Sequence, residues 1–141
     1  MKMLKKAASL ALASALVFSL AACGSEGGKS DGGSSDSDVF MIGGIGPTTG
    51  DNAIYGTAVK NGIQLAVDEI NADGGINGYQ IEYSFEDDQS DSEKAVNAYN
   101  TLKDWGMQML VGTVTSTPCT AVVEETHADN MFQLTPSATA V

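Results

Sequence analysis

The stretch VFMIGGIGPTTGDNAIYGTAVKNGIQLAVDEINADGGING, residues 39–78, decides the fold. Val39-Phe40-Met41-Ile42 is a short continuous apolar run. Such a run suits a strand covered on both faces, as in a parallel α/β sheet. Gly43, Gly44, Gly46 and Gly50, with Pro47 among them, then break the pattern and predict a tight turn. Val59, Ile63, Ala66, Val67 and Ile70 follow at helical spacing, which predicts one stripe against a core. Asp73-Gly74-Gly75 predicts the helix end, because glycine accepts the left-handed conformation found there. A strand that feeds a helix through a glycine turn puts that turn at the strand's carboxyl end. In open α/β sheets this is the edge that binds ligands.

The pattern then repeats. Gln80–Phe85 alternates Ile81, Tyr83 and Phe85 and reads as a second strand. Glu86-Asp87-Asp88 lacks the oxygen-ligand spacing of a calcium loop and reads as a solvated loop. Ser90-x-x-Glu93 predicts a capping box, Ala95, Ala98, Tyr99 and Leu102 an apolar stripe, and Gly106 a stop. Trp105, in the last turn, reads as a core-packing residue. Met107–Val111 predicts a third strand. Thr117 and Pro118 then suit the N-cap and first position of a helix running to about Asn130. Met131–Leu134 predicts a fourth strand, entering Thr135-Pro136-Ser137-Ala138-Thr139. Right-handed crossovers between such units give a parallel sheet. His127, the only histidine, reads as an exposed helix residue. Cys119 has neither a neighbouring base nor a CxxC spacing and reads as a small, partly buried helix residue.

Residues 1–22 read as a secretion signal. Lys2, Lys5 and Lys6 precede the apolar run Ala7–Ala22, which is short for a membrane span and ends in small residues. Leu20-Ala21-Ala22-Cys23 resembles a bacterial lipobox, so Cys23 is expected to be lipid-modified and to anchor the chain to the membrane, facing outward. The alternative is an ordinary signal peptide with Cys23 a bystander. Residues 23–38 are a Gly/Ser/Asp-rich tether with no means of building a core. The net charge of −11 becomes −14 once the leader's three lysines are removed (4 − 18). Nucleic-acid phosphates need lysine and arginine, so this balance argues against nucleic acid as a partner.

Three loops converge on one sheet edge in this reading: 46–56, 112–118 and 135–139. They hold no Ser/His/Asp set, Cys/His pair or metal cluster. They offer neutral hydrogen bonding from Thr48, Thr49, Tyr55, Thr115, Ser116, Thr117, Ser137 and Thr139. A helix N-terminus near Thr117 adds amides without internal partners and a partial positive charge, which suits a carboxylate. A dinucleotide-dependent enzyme fits poorly. In Gly44-x-Gly46-x-x-Thr49 the third glycine is a threonine, and Pro47 removes a backbone donor.

The GxxxxTGxxxxYG pattern at Gly44–Gly56, the helix GIQLAVDEINADGGING and the later TPSATA resemble the substrate-binding proteins of branched-chain amino acid ABC transporters, in the type I periplasmic-binding-protein superfamily. The resemblance covers Val39–Val141. It implies an α/β fold with strand order 2-1-3-4, and residues 39–141 as part of an N-terminal lobe, the second lobe absent. It implies capture of a small amino acid for an ABC transporter permease, outside the cytoplasm, with no cofactor and no catalysis. It matches Ser116 to the serine that binds the ligand's α-carboxylate, and Thr139 to the threonine that contacts the carboxylate and amino groups. Ser137 corresponds to a backbone carbonyl accepting from the ammonium, and Tyr55 to the aromatic of the side-chain pocket. A sensor module on the same fold, or a ligand such as an amide or urea, remains an alternative.

Overall fold

The computed structural model describes residues 39–139. The expected signal at residues 1–22, Cys23 and the expected tether lie outside the described residues. Four strands and three helices alternate: β1 (Val39–Gly46), α1 (Ala53–Ala72), β2 (Gln80–Asp87), α2 (Ser92–Trp105), β3 (Met109–Val111), α3 (Ser116–Ala128) and β4 (Gln133–Leu134). The sheet is parallel throughout, in the order β2-β1-β3-β4, as the resemblance implies.

The two faces of β1 build two cores. Ile42, with Ile81 of β2 and Val67 of α1, forms one, flanked by Phe40, Ile63, Ile70 and Tyr83. Ile45, one pleat over, joins Ala95, Ala98, Tyr99 and Leu102 of α2, Leu110 of β3 and Val122 of α3 in the other. Helix α1 therefore covers one face, and α2 and α3 the other. The predicted α1 stripe is borne out except at Ala66, which is exposed. Trp105 packs against the larger core, as expected. Cys119 is buried, and His127 is exposed. Edge strand β2 is partly covered by its own helix: Asn71 Nδ2 donates to the Ile81 carbonyl at 2.8 Å, and its Oδ1 accepts from the Ile81 amide at 2.7 Å.

The structure corrects several expectations. Gly43, Gly44 and Gly46 do not end β1; they lie within it. A Cβ on Gly43 would stand 2.5 Å from Met107 Sδ, and one on Gly46 2.5 Å from Val114 Cγ2. A Cβ on Gly44 would collide with the Phe85 ring and stand 2.8 Å from the Tyr83 hydroxyl. These glycines admit neighbouring side chains rather than a turn. Helix α2 starts at Ser92 with Asp91 as its N-cap, not at a Ser90 capping box; Asp91 Oδ1 accepts from the Lys94 amide at 2.9 Å. Its end is as expected, at Gly106 with φ 101°. Helix α3 starts two residues earlier than predicted. Thr115 is the N-cap, and Pro118 takes the third helical position, where its missing N–H is still one of the unsatisfied first-turn donors. β3 and β4 are shorter than predicted, three and two residues.

Candidate functional site

A parallel sheet brings all its carboxyl ends to one edge. Four loops meet there, not three, because the β2–α2 connection joins the others. Hydrogen bonds tie them together. The Thr135 hydroxyl donates to the Thr113 carbonyl at 2.8 Å, and the Ser137 hydroxyl to the Val114 carbonyl at 2.6 Å. The Thr139 amide donates to Ser116 Oγ at 3.1 Å. Ser90 Oγ accepts from Asn52 Nδ2 at 3.0 Å and from the Thr115 hydroxyl at 3.3 Å, linking three loops through one side chain.

Three of these loops, all but the β2–α2 connection, border an open cleft of about 280 Å³ lined by Asn52, Tyr55, Val114, Thr115, Ser116 and Ser137. Three of the four predicted contacts, Tyr55, Ser116 and Ser137, therefore share one cleft. The fourth, Thr139, is exposed and joins it through its amide bond to Ser116. Tyr55 is 63 % exposed, standing out from the first turn of α1. The corrected start of α3 bears on the chemistry. Ser116 is the first helical residue, so its hydroxyl and amide sit together at the positive end of the helix dipole. Thr117 is exposed, and its carbonyl accepts from the Ser92 and Thr120 hydroxyls. With Pro118 contributing no donor, the first turn has amides only at Ser116 and Thr117. Among the described residues no lysine, arginine or histidine lines the cleft. The arrangement can hold an anionic group by dipoles and hydroxyls, with an aromatic wall beside it.

Glu86-Asp87-Asp88 is not the solvated loop predicted. Asp87 is a strut: its Oδ1 accepts from the Thr48 and Gln89 amides at 2.8 and 3.0 Å, and its Oδ2 from the Thr49 hydroxyl at 2.5 Å. The Thr48 amide and the Thr49 hydroxyl are thus spent on loop structure. Burial pushes the Asp87 carboxyl up, but these hydrogen bonds outweigh it and hold the pKa below its ordinary value. Asp88 is fully buried; its Oδ1 accepts from the Ser90 amide at 2.8 Å, while Oδ2 has no partner among the described residues. Burial pushes its pKa up. Asn52 and Ser90 escaped the sequence reading. Each is a common loop residue, and only the meeting of the β1–α1 and β2–α2 loops sets them apart. Among the described residues no group of His, Cys, Asp and Glu is placed to hold a metal ion, and no helix is long and apolar enough to cross a membrane.

A profile of the periplasmic binding protein family matches residues 40–140. The chain belongs to the periplasmic binding protein family. It is 41 % identical over 101 residues to the Leu/Ile/Val-binding protein BraC3 of Rhizobium johnstonii, covering 72 % of this chain and 28 % of that one. It is 37 % identical over 106 residues to the leucine-, isoleucine-, valine-, threonine-, and alanine-binding protein of Pseudomonas aeruginosa, covering 73 % and 28 %. Among solved structures, the branched-chain amino acid transporter substrate binding protein LivJ of Streptococcus pneumoniae, in complex with isoleucine, matches with a TM-score of 0.69 at 38 % identity, over 72 % of this chain and 30 % of that one. A type 1 periplasmic binding protein from Bordetella pertussis matches with a TM-score of 0.67 at 32 % identity, over 72 % and 28 %. The chain thus spans under a third of the length of these relatives. They are binding proteins by name, and the family places its members outside the cytoplasm.

Proposed function

We propose that residues 39–141 are part of the first lobe of a solute-binding lipoprotein that captures a small amino acid, branched-chain foremost, for an ABC transporter permease. Residues 1–22 are the signal peptide in this reading, Cys23 the lipid anchor, and 23–38 the tether. The observation that carries it is the cleft at the start of α3, where Ser116 places a hydroxyl and an amide at the positive helix end and no cationic side chain is present among the described residues. The ligand carboxylate is held by Ser116, with Thr139 beside it; the Ser137 carbonyl receives the ammonium; Tyr55 flanks the side chain. The names of the relatives support the substrate class. A second lobe supplies the remaining contacts, and the ligand shifts the protein to a closed state by touching both lobes. The reaction is binding alone, with no covalent step and no cofactor.

The test is thermal shift of an ectodomain carrying both lobes against the common amino acids, short amides and urea. A ligand that binds only the folded state raises the melting temperature by mass action. A selective rise with leucine, isoleucine or valine is expected. Ser116→Ala removes a hydrogen bond to a charged group, about 1.5–3 kcal/mol, and weakens affinity roughly ten- to a hundredfold. A rise with only an amide or urea would replace the substrate. No rise with any of them would overturn the amino-acid reading.

A further inference from the structure

Asn52 is the N-cap of α1, a position where asparagine ordinarily turns its side chain back to accept from the helix's own first amides. Here it makes no such bond. Its Nδ2 reaches across the sheet edge to Ser90 Oγ at 3.0 Å. Ser90 is itself held for this. Gln89 and Ser90 both adopt left-handed backbone, φ 50° and 60°, which L residues rarely occupy. The carboxylates of Asp87 and Asp88 accept their amides at 3.0 and 2.8 Å. Unfavourable backbone held in place by neighbouring groups is a feature of ligand clamps. Helix capping is thus forgone and two residues are kept in a disfavoured conformation, and the result is a fixed Asn52 amide on the wall of the cleft. With Nδ2 committed, Oδ1 is the remaining polar atom, and it accepts no hydrogen bond among the described residues.

We propose that Asn52, positioned by Ser90, is a specificity-determining residue of the cleft, its side-chain carbonyl accepting a hydrogen bond from a hydroxyl on the ligand's side chain. The proposal rests on the amino-acid reading above and deepens it. The ligand class it selects is the small hydroxylated amino acid alongside the aliphatic ones. Threonine and valine are the decisive probes, since they differ by a hydroxyl in place of a methyl. An acceptor fixed beforehand binds the hydroxyl without first being ordered and gives the methyl nothing.

The experiment is calorimetric titration of L-threonine and L-valine into the ectodomain carrying both lobes, as wild type, Asn52→Ala and Ser90→Ala. Asn52→Ala is expected to shift the ratio of the two dissociation constants about tenfold against threonine, the size of one neutral hydrogen bond. Ser90→Ala is expected to shift it the same way by about threefold, although residue 52 is intact, because a mobile acceptor must be ordered by the ligand. Asn52→Leu, which keeps the volume without the carbonyl, reads the same ratio if the alanine variant does not fold. Binding of both amino acids with a ratio unmoved by loss of the Asn52 carbonyl overturns the proposal and leaves the amino-acid reading standing. Binding of neither amino acid, nor of any other in the thermal-shift panel, overturns that reading and the proposal with it.

Discussion

Gly56→Ala puts the seating of α1 on the β1–α1 loop to a direct test. Gly56 is buried in the first turn of the helix. A Cβ there would overlap the Pro47 carbonyl oxygen and stand 2.5 Å from its carbon and 2.8 Å from its nitrogen. The obstacle is backbone, which has no rotamer to change, and Pro47 is itself fully buried. Alanine gains about 1 kcal/mol over glycine in a helix interior, while overpacking costs roughly 1–3 kcal/mol where side chains absorb it. With only main chain to give way the upper end applies, for a net loss of about 2 kcal/mol. Gly62 is the control. It lies in the same helix, and a Cβ there meets nothing within 4 Å. Gly62→Ala should therefore stabilise by up to about 1 kcal/mol, and the two substitutions should differ by roughly 3 kcal/mol. Urea denaturation of the ectodomain reads both as midpoint shifts, provided the slope is unchanged. Gly56→Ala should also weaken ligand binding, since the loop that must move leads into Asn52 and Tyr55. A Gly56→Ala midpoint at or above wild type would refute the argument, as would equal shifts of the same sign in both variants.

Two neighbouring carboxylates should answer to pH with opposite signs. Burial raises the folded-state pKa of Asp88, so stability falls as pH rises from the ordinary carboxylate value, about 3.9, through the raised one. Asp88→Asn should then raise the urea midpoint at pH 7 and confer no such gain at pH 3. The folded-state pKa of Asp87 is lowered, because hydrogen bonds from Thr49 and the loop amides outweigh burial. Its stabilisation is complete above the ordinary value and is lost as pH falls through the folded one. Asp87→Asn should lower the midpoint at pH 7, and the deficit should close in acid. Tyr99, fully buried in α2, donates its hydroxyl to Asp129 at 2.9 Å beyond the end of α3, where Lys103 also pairs with that carboxylate. Tyr99→Phe should cost about 1 kcal/mol, since Asp129 keeps its lysine; a loss above 3 kcal/mol in denaturation would contradict that division.

Strand–helix alternation, the α2 stripe and the parallel order were legible because each rests on local periodicity joined to a rule of connection or a known resemblance. Ile81, Tyr83 and Phe85 alternate in sequence and share one face in the sheet. The errors came where a residue type serves two purposes. Glycines in β1 carry the same signature as turn glycines, and only Met107, Val114, Tyr83 and Phe85, distant in sequence, reveal them as contact points. Pro118 suits the first helical position but also the third, and the difference moved Ser116 onto the first turn. Ser116, Ser137 and Tyr55, which line the cleft, were singled out through the family's motif. Asn52 and Ser90 were not, because their bond spans 38 positions and local pattern does not report such pairs. The same holds for Asp87 and Asp88, which resemble any solvated acidic loop until their hydrogen bonds are traced.

The glycines of β1 have a consequence for how this sheet can change over generations. The space beside Gly44 is already filled by Phe85 and Tyr83, and that beside Gly46 by Val114. Volume at these places is shared property, divided between the strand and its neighbours. Neither holder can enlarge its share alone. A side chain at 44 requires a smaller residue at 83 or 85 in the same molecule, and a side chain at 46 a smaller one at 114. Substitutions here should therefore travel in pairs, with a less stable intermediate between the two compatible combinations. The strand that opens the sheet is in that sense slow to evolve, although three of its eight residues carry no side chain at all.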